Sequence, residues 1–369
     1  MSDQLKKIMI GVSAGFVLII VILFIASSCQ QQIKDFNSYE KEMIKVAKLH
    51  FKSHEDELPT EDKQTSEYTL KEMIENKEIT DYVKAFKDDS LKCEGSVTVT
   101  NNNGYQLYTT ELDCGDKYAS QTLREKIIED NLVESGQGLY EVGNEYVFKG
   151  NRINNYVTFN GETYRIISIA ENGNLNLLQE KTENNCTWDN HYNTELNQYG
   201  LNIYYQEPEK PSTINECVKK IYKKDITDES KAYIATQTSC FGARSKDDIT
   251  KDGSSECSAY KENEPVSLLA AYEYIRASID DNCINIASKS CANYNWIKDN
   301  KNITFLITPD NSRSDFVYYK SSNGLSTTTV TNTMYTLIKV QIDRKVNYTK
   351  GSGTQEDPYI ITTEAMKKK

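Results

Sequence analysis

The sequence predicts an α+β fold with a membrane-spanning helix ahead of two globular domains. An uncharged run near the N-terminus, eight cysteines beyond it and strand patterns at both ends of the long C-terminal part are the observations that predict it. A length of 369 residues suits two domains. The predicted divisions are a tail and anchor at 1–28, a membrane-proximal domain at 29–120, a connector at 121–135, a distal domain at 136–363 and a Lys-rich tail at 364–369.

The composition excludes two broad classes of protein. With 38% hydrophobic residues, the chain is too polar for a polytopic membrane protein. The net charge of -11 argues against a nucleic-acid partner, because phosphate binding needs a basic face. We therefore expect no nucleic-acid ligand.

The first predicted element is the anchor. No charged residue occurs from Ile8 to Ala26, a run close to the length of about 20 residues that a spanning helix needs. The short tail before it favours a signal-anchor, with a cytoplasmic N-terminus and the rest of the chain outside a bacterial cell membrane. Cys29 follows two serines, and the alternative is a lipoprotein signal with the lipid on Cys29. In both cases the lipid bilayer is the expected partner of this segment.

Two helices are predicted in the membrane-proximal domain. Apolar side chains recur at helical spacing from Phe36 to Phe51, so the first helix continues outward from the anchor. Thr69 and Glu72 have the spacing of a capping box, in which each side chain bonds the other residue's backbone amide. This pair predicts the start of a second, short helix.

A β-hairpin follows, and its register can be derived. Val97 and Val99 alternate with polar residues before Asn103-Gly104, a signal for a two-residue turn. Counting outward from that turn sets Cys93 opposite Cys114 at a non-hydrogen-bonded position, where the Cα atoms are about 4.5 Å apart. This distance is within disulfide reach.

The remaining cysteines predict further disulfides. An even number of cysteines in an extracytoplasmic chain indicates up to four bridges, and eight cysteines allow 105 connectivities. The simplest pairing joins sequence neighbours. The pairs are Cys283 with Cys291, Cys240 with Cys257, and Cys186 with Cys217.

The distal domain is predicted to contain strands at both ends and helices between them. A charged helix over 121–135 leads into it, and helices are predicted over 212–222 and 270–277. The predicted strands cover 156–159, 162–169, 175–178, 266–269, 303–307, 316–319, 334–342 and 359–362. Because strands begin and end the domain, we expect a mostly antiparallel sheet in which its termini pair.

A series of segments in this domain resembles a known family. The segments are YVFKG, NNYVTFNGETYRIISI, TWD, SLLAAYEYI, CINIASKSCANYNWI, LITPDNSRSDFVYYKSSNGL and GSGTQEDPYI, in that order from Leu139 to Ile361. They are similar to bacterial surface proteins with a C-terminal FISUMP (major paralogous domain) module, whose activity is unassigned. Tyr164 stands where the family has Trp, and Thr336-Leu337 where it has Arg-Pro. The resemblance implies a disulfide-braced fold like that of C-type lectins, which bind ligands on loops.

The membrane-proximal domain resembles a second group of proteins. A long helix, a short helix and a disulfide-closed hairpin form the ectodomain plan of type IV pilins and pseudopilins, and the likeness is one of architecture. It implies an alternative function as a minor structural subunit of a pilus-like assembly. Prepilin-type cleavage before Phe16 would favour that alternative.

A sortase-like cysteine transpeptidase is the enzymatic alternative. Thr238-Ser239-Cys240 resembles the sortase nucleophile motif, with His191 upstream as the base and Arg276 downstream as the oxyanion donor. This chemistry needs a free thiolate beside an imidazole. The seven other cysteines beyond Cys29 favour a disulfide for Cys240, so we expect no enzymatic activity.

Two groups of potential metal ligands occur in the sequence. His50 and His54 share one face of a helix, but no third ligand accompanies them, and a solvated helix end is the simpler reading. An acidic stretch contains carboxylates that suit Ca²⁺, although its spacing does not fit an EF-hand. Its members are Asp247, Asp248, Asp252 and Glu256. An acidic surface loop is the simpler interpretation, so we expect no cofactor, and Ca²⁺ is the alternative.

The sequence as a whole predicts a non-enzymatic bacterial surface protein for adhesion or extracellular ligand binding. The ligand would be a glycan or a protein, and Trp188 and Trp296 are the candidate aromatic contacts. No catalytic motif of the common hydrolase, metalloprotease or nucleotide-binding types is present.

Overall fold

The computed structural model describes residues 34–205 and 211–361. Strands account for 33% of these residues and helices for 24%. The fold is therefore mostly β, and the predicted α+β class is wrong. The physical reason is that most helices in this part of the chain are only one or two turns long, while segments that lack clear strand alternation still pair into short strands.

Across the two described ranges, no helix is long and apolar enough to cross a bilayer. The first helix there is amphipathic and packs on a sheet. This finding corrects the predicted transmembrane helix and signal-anchor and the single-pass location in a bacterial cell membrane. The run from Ile8 to Ala26, Phe16 and Cys29 all lie outside the described residues.

Eight α-helices and four short 3-10 helices occur in the described part. The α-helices are α1 (Phe36–Ser53), α2 (Leu70–Glu75), α3 (Tyr82–Phe86), α4 (Leu123–Asn131), α5 (Thr213–Asp225), α6 (Asp228–Lys231), α7 (Ala271–Arg276) and α8 (Trp296–Asp299). The 3-10 helices are Glu55–Glu57, Gly115–Lys117, Glu256–Ser258 and Lys289–Ala292.

The strands of the described part are short and numerous. They are β1 (Thr65–Thr69), β2 (Glu94–Asn102), β3 (Tyr105–Asp113), β4 (Gly138–Val142), β5 (Glu145–Lys149), β6 (Tyr156–Phe159), β7 (Glu162–Ile169), β8 (Leu175–Gln179), β9 (Asn185–Thr187), β10 (Tyr192–Asn193), β11 (Gln198–Tyr199), β12 (Ile234–Ala235), β13 (Gln237–Cys240), β14 (Tyr260–Glu264), β15 (Thr304–Pro309), β16 (Phe316–Ser321), β17 (Gly324–Thr329), β18 (Thr333–Tyr335), β19 (Lys339–Ile342) and β20 (Tyr359–Ile360).

The first unit is a three-stranded antiparallel sheet, β1-β2-β3, covered by α1. Tyr39, Met43, Ala47 and Phe51 form the buried stripe of α1. The predicted capping box is present at the start of α2, where the Thr69 hydroxyl accepts from the Glu72 amide and the Thr69 amide donates to the Glu72 carboxylate. Strand β1 is polar and was not predicted.

The hairpin β2-β3 has the derived register. Asn102 pairs with Tyr105 across the turn, and Asn103 and Gly104 both have positive φ, as a type I′ turn requires. Cys93 and Cys114 form a disulfide just beyond the paired residues, with their Cα atoms 4.1 Å apart.

The second unit contains two larger sheets. In the first sheet the order is β12-β19-β8-β7-β5-β4, with β6 beside β7 and β20 parallel to β6. In the second the order is β17-β16-β15-β18-β9, and β15 and β18 are parallel. The other pairs are antiparallel, and β20 joins the C-terminal end of the unit to its N-terminal strands. The predicted strand over 266–269 is wrong, because this buried segment makes only an isolated bridge from Ser267 to Lys339.

Each unit has its own hydrophobic cluster. One cluster extends from Tyr39 to Cys114 and the other mainly from Leu123 to Ile361, with Leu107 of β3 contributing to the second. The units also share hydrogen bonds. The fully buried Asn102 amide donates to the Ala232 and Ile234 carbonyls at 2.8 and 3.0 Å. The hairpin of the first unit is thereby fixed against the second.

Candidate ligand-binding hairpin

The two tryptophans proposed as ligand contacts are core residues. Trp188 is 0% exposed and packs edge-on against Phe305, and Trp296 is 1% exposed beneath the Arg165 guanidinium. A ring without exposed surface cannot stack on a ligand from solvent, so these two candidates are wrong. Their large apolar area instead fills the core of the second unit.

Exposed aromatic side chains occur a few residues beyond Trp188. Tyr192 on β10 and Tyr199 on β11 face each other in the hairpin register, and they are 49% and 64% exposed. Their ring centroids are 5.0 Å apart with an angle of 59° between the planes. Leu196, 53% exposed, lies between the two strands. We call residues 190–200 the tyrosine hairpin.

Polar groups surround the two rings. The Tyr192 hydroxyl donates to the Asn197 side chain, and the Leu196 amide donates to the Asn193 side chain at 2.8 Å. Asn190 accepts from the Thr213 hydroxyl at 2.9 Å. The surface therefore combines two apolar ring faces with amides and hydroxyls that can both donate and accept hydrogen bonds.

A buried carboxylate fixes the base of the tyrosine hairpin. Asp189 is 0% exposed, and its Oδ1 accepts from His191 Nδ1 at 2.6 Å while its Oδ2 accepts from the Leu201 amide at 2.8 Å. The Thr213 hydroxyl, at the start of α5, also donates to Oδ1 at 3.2 Å. One side chain thus holds the chain entering the hairpin, the chain leaving it and the neighbouring helix.

Gly200 permits the exit of the chain from the hairpin. Its φ is +75°, and a Cβ at this position would lie 2.4 Å from the Asp189 carbonyl oxygen and 2.5 Å from Val330 Cγ2. Only glycine fits both the backbone conformation and this close approach. The exit strand therefore lies directly on the core.

Two further contacts hold the segments around the hairpin. The Asn202 amide donates to the carbonyls of Asp310, Arg313 and Phe316 at 2.8, 2.7 and 2.8 Å. The disulfide between Cys186 and Cys217 ties β9 to α5. The two exposed rings are thus presented on a braced support, as expected for a loop that carries function.

Sequence reasoning does not predict this hairpin. Each strand is only two residues long, so alternation cannot be detected over it. The available signal was a pair of tyrosines placed on either side of an Asn-rich stretch, Tyr192 and Tyr199.

The sortase-like arrangement does not form. Cys240 is bonded to Cys257, so it lacks the thiol that a nucleophile needs. His191 is engaged by Asp189, and Arg276 pairs with Glu145 at 2.6 Å. Cys283 and Cys291 form the fourth disulfide. The four bridges therefore join the pairs of sequence neighbours considered above.

The suggested metal ligands do not converge either. His50 stacks on Tyr68 and bonds Glu57 at 3.0 Å, while His54 bonds the carbonyl of His50. Within residues 34–205 and 211–361, no group of three or more potential ligands is close enough to hold a metal.

The acidic stretch is organised by internal bonds. Glu256 is buried against Arg244, Asp248 accepts from Ser255 and Thr250, and Asp252 accepts from the Ser254 amide. Asp247 takes part through its backbone amide, which donates to the Ser245 hydroxyl, and not through its carboxylate. Asp248 and Glu256 share the Arg244 guanidinium, which lies 3.8 and 3.0 Å from their oxygens, and the four carboxylates suggested for Ca²⁺ do not converge on one metal position.

A charged cleft of about 520 Å³ lies elsewhere in the second unit. Arg276 and Glu145 form part of its wall and are already paired, and Lys251 donates to the Cys283 carbonyl. Burial lowers the pKa of Lys149, and the neighbouring Arg276 and Lys251 charges lower it further. The positive and negative side chains that line the cleft balance each other. The cleft therefore offers fewer groups that could recognise a ligand than the tyrosine hairpin does.

The protein-family models, the curated proteins and the solved structures compared with this chain give no match. The resemblances to FISUMP modules and to pilins stay predictions.

Proposed function

We propose that the protein is a non-enzymatic ligand-binding or adhesion module, and that the tyrosine hairpin binds a glycan. The observation that carries the proposal is the pair of exposed rings of Tyr192 and Tyr199, opposed in register at 5.0 Å. The C–H faces of a sugar ring pack on aromatic faces, and tyrosine supplies a large, rigid and amphipathic contact at low entropic cost.

The surroundings favour a sugar over an apolar partner. Sugar hydroxyls need groups that donate and accept at close range, and Asn190, Asn193 and Asn197 present such groups beside the rings. Four disulfides in the described part favour an oxidising compartment, where extracellular glycans are met.

The experiment is a glycan-array screen of the full chain followed by titration of the sugars that bind. The double variant Tyr192→Ala/Tyr199→Ala is expected to lose at least about tenfold in affinity, since one exposed stacking contact of about 1.4 kcal/mol corresponds to that factor. Tyr260→Ala is the matched control, because Tyr260 is 58% exposed on β14 in a different sheet.

Equal binding by the wild type and the double variant would overturn the assignment to this surface. Absence of any glycan bound by the wild type would overturn the glycan itself. Both variants are expected to fold, because exposed side chains away from the core change stability by less than about 0.5 kcal/mol.

A further inference from the structure

A fully buried lysine lies in the second unit, where no function has been given to it. Lys320 on β16 is 0% exposed. Its Nζ donates to the carbonyl oxygens of Asn300 and Asn302, the second at 2.9 Å, and reaches the side-chain Oδ1 of Asn300 at 3.5 Å. These partners are all neutral. A buried ammonium without a bonded carboxylate is costly, which favours the free amine.

The Asn300 side chain joins this lysine to an acid. Asn300 is 3% exposed, and its Nδ2 donates to the Glu180 carbonyl at 2.6 Å and lies 3.5 Å from Glu180 Oε2. The amide therefore has an amine on its oxygen side and a carboxyl group on its nitrogen side. The three residues come from β16, from the end of α8 and from the end of β8.

Burial shifts both ends of the triad toward their neutral forms, and the surrounding charges oppose that shift. Burial lowers the pKa of Lys320 to about 8, although the Glu180 and Asp299 carboxylates oppose the shift. Burial raises the pKa of Glu180, against the opposing charge of Arg165, whose Nη1 is 4.0 Å away. Arg165 is itself held by Asn155 and by stacking on Tyr156.

We propose that Lys320 and Asn300 form an intramolecular isopeptide bond, with Glu180 as the proton carrier. The neutral Nζ of Lys320 attacks Cγ of Asn300, and a new C–N bond forms. The bond from Cγ to Nδ2 breaks, and ammonia leaves. One proton passes from Nζ to the departing Nδ2 through the Glu180 carboxyl. No oxidant or cofactor is required.

The fold supplies what this reaction needs. Two groups held in contact react as if they were at very high concentration. Because water is excluded from this buried site, the amide reacts with the amine and is not hydrolysed. Thr304 of β15 pairs with Lys320 of β16, and Asn300 precedes β15 by only a few residues. The bond would therefore fasten β16 to the chain that enters its neighbouring strand. This inference is independent of glycan binding.

The test is peptide mapping of the reduced, alkylated full chain after tryptic digestion. The expected product joins residues 299–301 to residues 314–339, with no cleavage after Lys320 and a mass lower by one ammonia than the sum of the two peptides. Lys339 is the internal control, because it is also buried but pairs with Glu273 at 2.8 Å. Cleavage after Lys339 is expected to be normal.

Two variants test the roles. Lys320→Arg keeps a positive charge and a tryptic site but cannot form this bond, and it should release residues 299–301, 314–320 and 321–339 as three separate peptides. Glu180→Gln keeps the size of the side chain, and it should lower the yield of the linked peptide at least severalfold. Complete cleavage after Lys320 in the wild type would overturn the proposal, whichever variants fold. An undiminished yield in Glu180→Gln would overturn the role of Glu180.

Discussion

The ion pair of Arg244 and Glu256 is the most deeply buried ion pair among the described residues. We predict how far its removal lowers the free energy of unfolding. Both side chains are 0% exposed, and Arg244 Nη1 donates to the two carboxylate oxygens of Glu256 at 3.2 and 3.0 Å. Glu256→Ala would leave a buried guanidinium without its nearest counter-ion, and only the Asp248 carboxylate would remain, 3.8 Å from Nη2. Such a loss costs about 3–5 kcal/mol.

Two contacts change that cost in opposite directions. Glu256 also accepts the Tyr272 amide at 3.1 Å, and that donor would lose its partner. The remaining Arg244 contacts are to the carbonyls of Asp248 and Thr250 and to the Asp248 carboxylate, whose Oδ1 lies 3.8 Å from Nη2 and keeps part of the compensating charge. At roughly 2–4 °C per kcal/mol for a unit of this size, a loss of about 3–5 kcal/mol should lower Tm by about 6–20 °C.

The assay is thermal and urea unfolding of the full chain with its disulfides intact. Asp315→Ala is the matched control, since the Arg313–Asp315 pair has a short distance of 2.7 Å but its side chains are 56% and 28% exposed, against 0% for both partners of the buried pair. The control should lose less than about 1 kcal/mol. If Glu256→Ala loses no more than the control, the reasoning from burial is refuted. The double variant Arg244→Met/Glu256→Leu should recover much of the loss, because it leaves no fully buried unpaired charge: Asp248 loses Arg244 but is 20% exposed and still accepts from Thr250 and Ser255.

Three further predictions follow from other parts of the molecule. Cys186→Ala/Cys217→Ala opens a loop with a sequence separation of 31 and should lower the free energy of unfolding by about 3–4 kcal/mol, measured with urea. Gly200→Ala should destabilise the tyrosine hairpin by about 1–3 kcal/mol and speed its proteolysis between residues 190 and 200. An unchanged cleavage rate would contradict the close approach of the Gly200 backbone to Asp189 and Val330. Glu72→Gln should destabilise at neutral pH. Hydrogen bonds from Thr69 hold the pKa of Glu72 below its usual value of 4.5, so the carboxylate's contribution is present above that value, and the difference from wild type should shrink as the pH falls through the lowered pKa.

The parts of the fold that could be predicted are those with local signals. The two-residue Asn103-Gly104 turn fixes every pair in its hairpin, because the side chains alternate with a period of two. The helix predicted over 212–222 is observed as Thr213–Asp225, because its apolar spacing is regular. The strand predicted over 334–342 is observed as two, since residues 336–338 leave one sheet and enter another.

The candidate site could not be predicted because its determinants are distant in sequence. Asp189 acts on Leu201 and Thr213, and Asn202 acts on residues more than a hundred positions away. Likewise, nothing in the local sequence marks Lys320 as buried or places it beside Asn300. The tryptophans were misjudged for the same reason, since composition does not reveal which aromatic rings face solvent.

The spacing of the four disulfides has a mechanical consequence. They close separate loops with sequence separations of 21, 31, 17 and 8, and none of the loops contains another. A chain pulled from its two ends cannot extend the residues inside a closed loop. At about 3.4 Å per residue, the loops together withhold roughly 250 Å of contour length. An oxidised molecule under tension would therefore stay that much shorter than a reduced one. The rings on the tyrosine hairpin lie inside the loop closed by Cys186 and Cys217, so they would stay together while unbridged parts of the chain stretched.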